Sequence, residues 1–306
     1  MRIVSLLPSA TEIVCALGLS GNLVGRSHEC DYPPQVAALP ALTAPRFNPE
    51  GSSVEVDRRV KSILENALSV YRVDADRLMA LRPDVIVTQS QCEVCAVSER
   101  ELNSALAQWS GGAAPAVVSL KAASLDGVLN DIARTAAVLG VEQAGAQAVR
   151  TMRERIDRIR QRAALAQSRP TVAVIEWIDP LMSGGNWMPE LIGIAGGRNL
   201  FGEAGQHSPW IKFEQISSAD PDLILVSPCG FGIERSLQEL DGLRRAPSWR
   251  NLSAARNGRV FVADGNHYFN RPGPRIVDSI EILAEIIHPD LFQFGHQERG
   301  WRRLEN

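Results

Sequence analysis

No apolar run in this 306-residue chain approaches the roughly 20 residues that a membrane-spanning helix needs, so no transmembrane span is expected. A strong excess of charge is also missing. The net charge of −3 gives no support for a nucleic-acid or anionic-membrane partner. Cysteine is scarce: five residues do not make a secreted disulfide scaffold, and an odd number leaves at least one thiol without an intrachain partner. The N-terminus lacks a secretory pattern, because Arg2 leads directly into IVSLLPSATE, where Pro8 and Glu12 end the apolar run. The expected compartment is therefore the cytoplasm, or the periplasm if a leader has been removed. Catalytic signatures are missing too. There is no GxGxxG after a strand, no GxxxxGK[ST], no GxSxG elbow and no Ser-His-Asp set, so no enzyme is expected.

What remains is an ordinary globular composition, 45% hydrophobic and 22% charged, in a chain comfortable for two cores. The organising stretch is 142–167. Val149, Met152, Ile156, Ile159 and Ala163 recur at three- and four-residue steps with Arg and Glu between them, which predicts one amphipathic helix roughly 40 Å long. Alternating strand and helix patterns precede and follow it. The predicted architecture is α/β: two Rossmann-like lobes, 1–141 and 168–306, each with a mostly parallel sheet, joined by the helix 142–167. Such a rod is expected to hold the lobes nearly fixed across a cleft. An internal echo supports two related halves: DADRLMALRPDVIVTQ and FEQISSADPDLILVSP both read short helix, Pro-Asp turn, apolar strand.

In parallel α/β sheets, ligands sit beyond the carboxyl ends of the strands. The side chains with chemistry fall there. His28, Cys30 and Tyr32 follow the second strand, and Cys92 and Cys95 follow the strand starting at Asp84. Trp177 ends the first strand of the second lobe, Cys229 and Phe231 follow 222–227, and His267, Tyr268, Phe269 and Arg271 follow 259–263. A single loop aromatic is adequately explained as a pin holding its loop to the core. Four or five at strand ends, with Trp210 among them, point to a ligand cleft for a large, partly apolar molecule.

The thiols form a second candidate site. Cys92-x-x-Cys95 has metal or redox spacing. With Cys30 and Cys229, and His28 or His267 as alternates, it makes a soft donor set suited to zinc or an iron–sulfur cluster. Cys15, on an apolar helix face, reads as a buried small residue. Asp76 and Glu214 open the two echoed helices, where acids favour the helix dipole and also suit docking charges.

Several stretches together resemble the cobalamin- and iron-siderophore-binding family of ABC-transporter solute receptors, its vitamin B12-binding members above all. They are RIVSLLPSATEIVCALGL at the start, the DYP at Asp31–Pro33, LRPDVIV, the strand–SGGNW–helix–GGRNLF unit, Pro209-Trp210 before a Glu, and YFNRPGPRI. The resemblance implies two lobes on one long helix and a non-enzymatic protein holding a cobalamin-like corrinoid between them. A haem or a ferric siderophore is the alternative cargo. By position it implies ligand-contacting aromatics at Tyr32, Trp177, Trp210, Tyr268 and Phe269, with Tyr71 as a displaced stand-in. It places a cleft arginine at Arg271, His267 where the family has an acid, and ABC permease docking acids at Asp76 and Glu214. Cys30, Cys92, Cys95 and Cys229 depart from that pattern and suggest a cytoplasmic branch. They keep open a metal or iron–sulfur protein and, ranked last, a cytosolic redox or corrinoid-processing enzyme.

Overall fold

Short apolar runs become parallel strands because only strands covered on both faces bury such runs completely. In the computed structural model, which describes residues 1–66, 69–90, 99–107, 109, 113–246 and 248–305, β1 (Ile3–Ser5) pairs parallel with β2 (Leu23–Gly25). Two short strands follow, β3 (Thr43–Pro45) and β4 (Tyr71–Val73), which pair antiparallel as a separate ribbon in a region the sequence reads as irregular. Next come β5 (Val85–Gln89), buried at every position, and β6 (Ala116–Leu120). The first sheet has the order β2-β1-β5-β6.

The second sheet repeats this order with one strand added. β7 (Thr171–Ile175), β8 (Arg198–Asn199), β9 (Leu223–Val226), β10 (Val260–Ala263) and β11 (Trp301–Arg303) lie as β11-β10-β9-β7-β8. All pairs are parallel except β10 with β11. Trp-Arg-Arg carries no strand signature. β11 forms because Trp301 packs edge-on against Phe261, ring centroids 5.5 Å apart, and brings the tail alongside β10.

The first helix runs Pro8–Ala16, where the sequence pattern predicts Glu12–Leu19; it opens at Pro8 because proline at the first helical position loses no hydrogen bond there. The long helix is Glu142–Ala163, 22 residues and about 33 Å, not 142–167. Past Ala163 the bonds tighten, Leu165 N donating to Arg162 O and Ala166 N to Ala163 O, both at 3.1 Å. Met152, Ile156, Ile159 and Ala163 are its buried stripe. No helix among the described residues is long and apolar enough to cross a membrane.

The chain forms two compact units. One comprises Met1–Gly51, Glu55–Ala122 and Asp126–Thr151; the other comprises Ser52–Val54, Ala123–Leu125 and Met152–Asn306. The first core gathers Val4, Leu6, Leu42, Leu78, Ile86 and Leu102, and the second gathers Ile175, Ile216, Ile224, Val226, Leu240 and Val262. The echo is visible in each unit. Ala75–Leu81 and Phe213–Ala219 are seven-residue helices closed by a left-handed residue, Arg82 (φ 43°) and Asp220 (φ 40°), ahead of the Pro-Asp turn and strand.

Candidate ligand-binding loops

In the second unit three loops beyond the carboxyl ends of β7, β9 and β10 are tied into one surface. After β7, the amides of Glu176 and Trp177 donate to Met182 O at 2.8 and 3.3 Å, and Met182 N donates back to Trp177 O at 3.0 Å. Met182 also bridges to Trp210, so both tryptophans flank one methionine. Trp210 is 55% exposed, an unusual state for so apolar a ring. Trp177 is half-buried, its Nε1 donating to Asp179 O at 3.2 Å and its ring lying 5.2 Å from that of Phe231. Phe231 is buried and carries the Arg235 guanidinium 3.6 Å above its centroid.

Backbone bonds fasten the loops together. Cys229 N donates to Glu176 O at 3.0 Å, and Asn266 N donates to Phe231 O at 3.1 Å. Gly265 lies so close that a Cβ there would stand 2.1 Å from Pro228 O, which is why this position carries no side chain. Ser208 closes the other side: its hydroxyl donates to Glu176 Oε1 at 2.8 Å and accepts from Gly185 N at 3.1 Å.

The segment Gly265–Phe269 winds as a single π turn, a form frequent at functional sites. Asp264 starts it, Oδ1 accepting from His267 N at 2.8 Å and Oδ2 pairing with His267 Nδ1 at 2.7 Å. The wide turn separates its two rings. Tyr268 is half-buried between Arg275, 5.4 Å from its centroid, and the edge of His296 at 6.2 Å, and burial raises its phenol pKa. Phe269 points into the core, 1% exposed, with its carbonyl accepting from Trp187 Nε1 at 3.0 Å. Phe269 is thus a packing residue and not the ligand-facing ring expected. Arg271 is buried, its Nη2 donating to Asn266 Oδ1 at 3.1 Å.

In the first unit, the loop after β2 is held by hydroxyls. His28 N donates to Thr43 Oγ1 at 3.0 Å and its Nδ1 pairs with the same atom at 2.7 Å. Burial, with Arg26 adding, lowers the His28 pKa to about 4, so the ring is neutral near pH 7. Tyr71 also departs from expectation. It is a core residue of β4, buried, with its hydroxyl donating to Glu29 Oε1 at 3.2 Å and its ring 5.3 Å from His28. Tyr32, by contrast, is 43% exposed.

The thiols divide. Cys92 and Cys95 lie outside the described residues. Cys30 is buried, its sulfur accepting from Thr11 Oγ1 at 3.0 Å. Cys229 is half-buried on the loop surface, and Cys15 has its pKa raised to about 11 by burial, then by Glu12. Among the described residues no group of three or more His, Cys, Asp and Glu is placed to hold a metal ion. Asp76 and Glu214 stand exposed in the first turns of their helices.

Sequence reasoning passed over Asp264, Asn266, Ser208 and Arg235. Asp264 alone left a trace, an N-cap residue three positions before His267. The others act through contacts with distant segments.

The periplasmic binding protein family matches residues 3–266. The chain belongs to the periplasmic binding protein family. It is 25% identical over 296 residues to a vitamin B12-binding protein of Vibrio cholerae, covering 92% of this chain and 86% of that one. It is 24% identical over 301 residues to an uncharacterized ABC transporter substrate-binding lipoprotein of Bacillus subtilis, with 95% and 81% covered. Among solved structures, a periplasmic heme-binding protein of Roseiflexus sp. RS-1 superposes with a TM-score of 0.70 at 24% identity, over 94% of this chain and 98% of the other. The vitamin B12 binding protein of Vibrio cholerae superposes with a TM-score of 0.65 at 23% identity, over 95% and 98%. These two likenesses establish the two-lobed α/β fold.

Proposed function

We propose that this protein is the substrate-binding component of an ABC transporter and that its cargo is a cobalamin-like corrinoid. The observation that carries the reading is the fastening of Trp177, Trp210 and Tyr268 to one hydrogen-bonded loop surface at the carboxyl edge of the second sheet. Flat rings with polar rims suit the face of a macrocycle, and the neighbouring His267 suits its polar periphery, while Arg271, 4% exposed and bonded to Asn266, acts from behind the loop. The relatives named for vitamin B12 favour this cargo over haem or a ferric siderophore. Binding is the reading, since the described residues of the site offer aromatic surface and paired charges.

The expectation of a cytoplasmic branch finds no support among these relatives. A family named for periplasmic proteins and a lipoprotein relative favour the exported alternative. Asp76 and Glu214, one exposed acid on each unit, are then the charges offered to a permease.

A titration with cobalamin, cobinamide, haem and a ferric siderophore tests the reading. Trp210→Ala together with Tyr268→Ala is expected to weaken corrinoid binding by about 2–4 kcal/mol. Unchanged affinity would overturn the aromatic-surface assignment. Metal analysis of protein purified without oxygen tests the zinc or iron–sulfur alternative through Cys30, Cys92, Cys95 and Cys229.

A further inference from the structure

The helix Ile233–Arg244 leaves the carboxyl side of β9 and returns the chain to the amino edge, where the parallel strand β10 begins. The segment filling that return contains Arg245, Trp249, Arg250 and Arg256. It is fixed to the amino edge by Asp220, which accepts from Ser253 N and Ser253 Oγ, both at 2.7 Å. A cavity of about 600 Å³ opens there, lined by Asp241, Arg244, Arg245, Trp249, Arg250, Ala255 and Arg256. This volume is within the usual range of small-molecule sites. The cavity lies at the opposite sheet edge from the aromatic loops.

Four arginines and one aspartate line this cavity, an excess of three positive charges in a protein of net charge −3. The fold itself neutralises only part of it, and leaves the Arg245 and Arg250 guanidiniums unpaired among the described residues. Arg244 reaches Asp241 only at 4.0 Å, and that aspartate is 66% exposed, so the pair contributes little. Arg256 Nη2 donates to the Ser253 hydroxyl at 3.1 Å, and the Asp220 carboxylate bonded to that serine balances part of its charge. Arg245 and Arg250 are exposed, and their guanidinium groups make no ion pair or hydrogen bond among the described residues. Like charges gathered on a concave wall repel one another and focus a positive potential into the cavity, which a multiply charged anion relieves. Guanidinium forks match the paired oxygens of phosphate.

We infer that this arginine-lined cavity binds a phosphate-bearing anion, whether a soluble polyphosphate compound or the phosphate headgroups of an anionic lipid surface. The floor is rigid: Trp249 is buried and stacks with Phe213 at 6.3 Å, so the site is held by the second core. Arg245 and Arg250 supply the forks, and Arg244 and Arg256 set the field. Affinity therefore falls as ionic strength rises.

The test uses the full chain and two probes, inorganic tripolyphosphate followed by calorimetry and mixed phosphatidylcholine–phosphatidylglycerol vesicles followed by co-sedimentation. Arg245→Gln with Arg250→Gln is expected to weaken binding by about 10- to 100-fold, and the charge-preserving double lysine variant by less. Both positions are exposed, and an unchanged melting temperature verifies the fold. Arg158→Gln with Arg162→Gln, exposed arginines of the long helix, is expected to leave binding intact. Tripolyphosphate binding that depends on Arg245 and Arg250 supports a soluble ligand. Vesicle binding with the same dependence supports a lipid headgroup. No binding to either probe, or wild-type binding by the double glutamine variant, overturns the inference.

Discussion

Asp222 grips Thr171 at the start of the neighbouring strand from three directions. Its Oδ2 accepts from Thr171 N and from Thr171 Oγ1, both at 2.8 Å, and its own amide donates to Thr171 Oγ1 at 2.8 Å. Asp84 does the corresponding work in the first unit, accepting from Arg2 N at 2.6 Å while its amide donates to Arg2 O at 2.8 Å. In both units the aspartate follows the proline that ends the short helix, so one turn closes the helix and registers two parallel strands.

The carboxyl of Asp222 has its pKa lowered by the Thr171 amide and then by its hydroxyl. A depressed folded pKa means stabilisation that is present above the unfolded value near 4 and lost as pH falls through the folded value. Asp222→Ala is expected to cost about 1–2 kcal/mol at neutral pH and less in acid, measured by urea denaturation at several pH values.

His28 predicts acid sensitivity at a higher pH. Its folded pKa is about 4 against roughly 6.5 when unfolded, so the unfolded chain binds the extra proton between these values and stability declines as pH drops from about 6.5 to 4. Discounted for partial exposure, the loss is on the order of 1 kcal/mol. His28→Gln should flatten this part of the profile.

Phe269 and Tyr268 are neighbours with different burial, and the proposed corrinoid reading gives only Tyr268 a part in binding. Phe269→Ala is expected to destabilise the fold by about 3–5 kcal/mol, since its ring is fully buried. Tyr268→Phe keeps the ring and is expected to retain most of the corrinoid affinity. Melting curves and ligand titrations on both variants separate packing from binding.

Gly265→Ala places a methyl group against Pro228 O and the Ser227 carbonyl, which are backbone atoms that cannot swing aside. A cost of about 1–3 kcal/mol is expected, together with weaker ligand binding, because the loops of β9 and β10 must part. Thermal melts and titration measure the two effects.

Thiol accessibility separates the cysteines. Cys229, half-buried on the loop surface, is expected to react with iodoacetamide well before Cys30, which is 2% exposed beneath Thr11. Mass spectrometry of peptides from a time course reads the order.

Much of this fold was written in local pattern. Val85–Val87 and Leu223–Val226 are buried apolar runs, so apolar continuity identifies their strands. The long helix was legible from Met152, Ile156 and Ile159, although its end was not, since Ala164 to Gln167 retain helical composition while the hydrogen bonds tighten. Strands β3, β4 and β11 escaped because each is three residues long and owes its pairing to a distant partner.

The same division holds at the candidate ligand loops. Position in the sequence was enough to place Trp177, Trp210, His267 and Tyr268 in loops, because the chain leaves parallel strands at one edge of the sheet. Which rings face outward was decided by tertiary packing. Tyr71 and Phe269 carry the same flat aromatic surface as their neighbours, yet contacts with Glu29 and Trp187 across 42 and 82 residues of chain draw them inward. Residue type and sequence spacing encode the edge of the sheet at which a side chain emerges. Burial depends on segments remote in the chain, so the choice between core and ligand surface belongs to the folded structure.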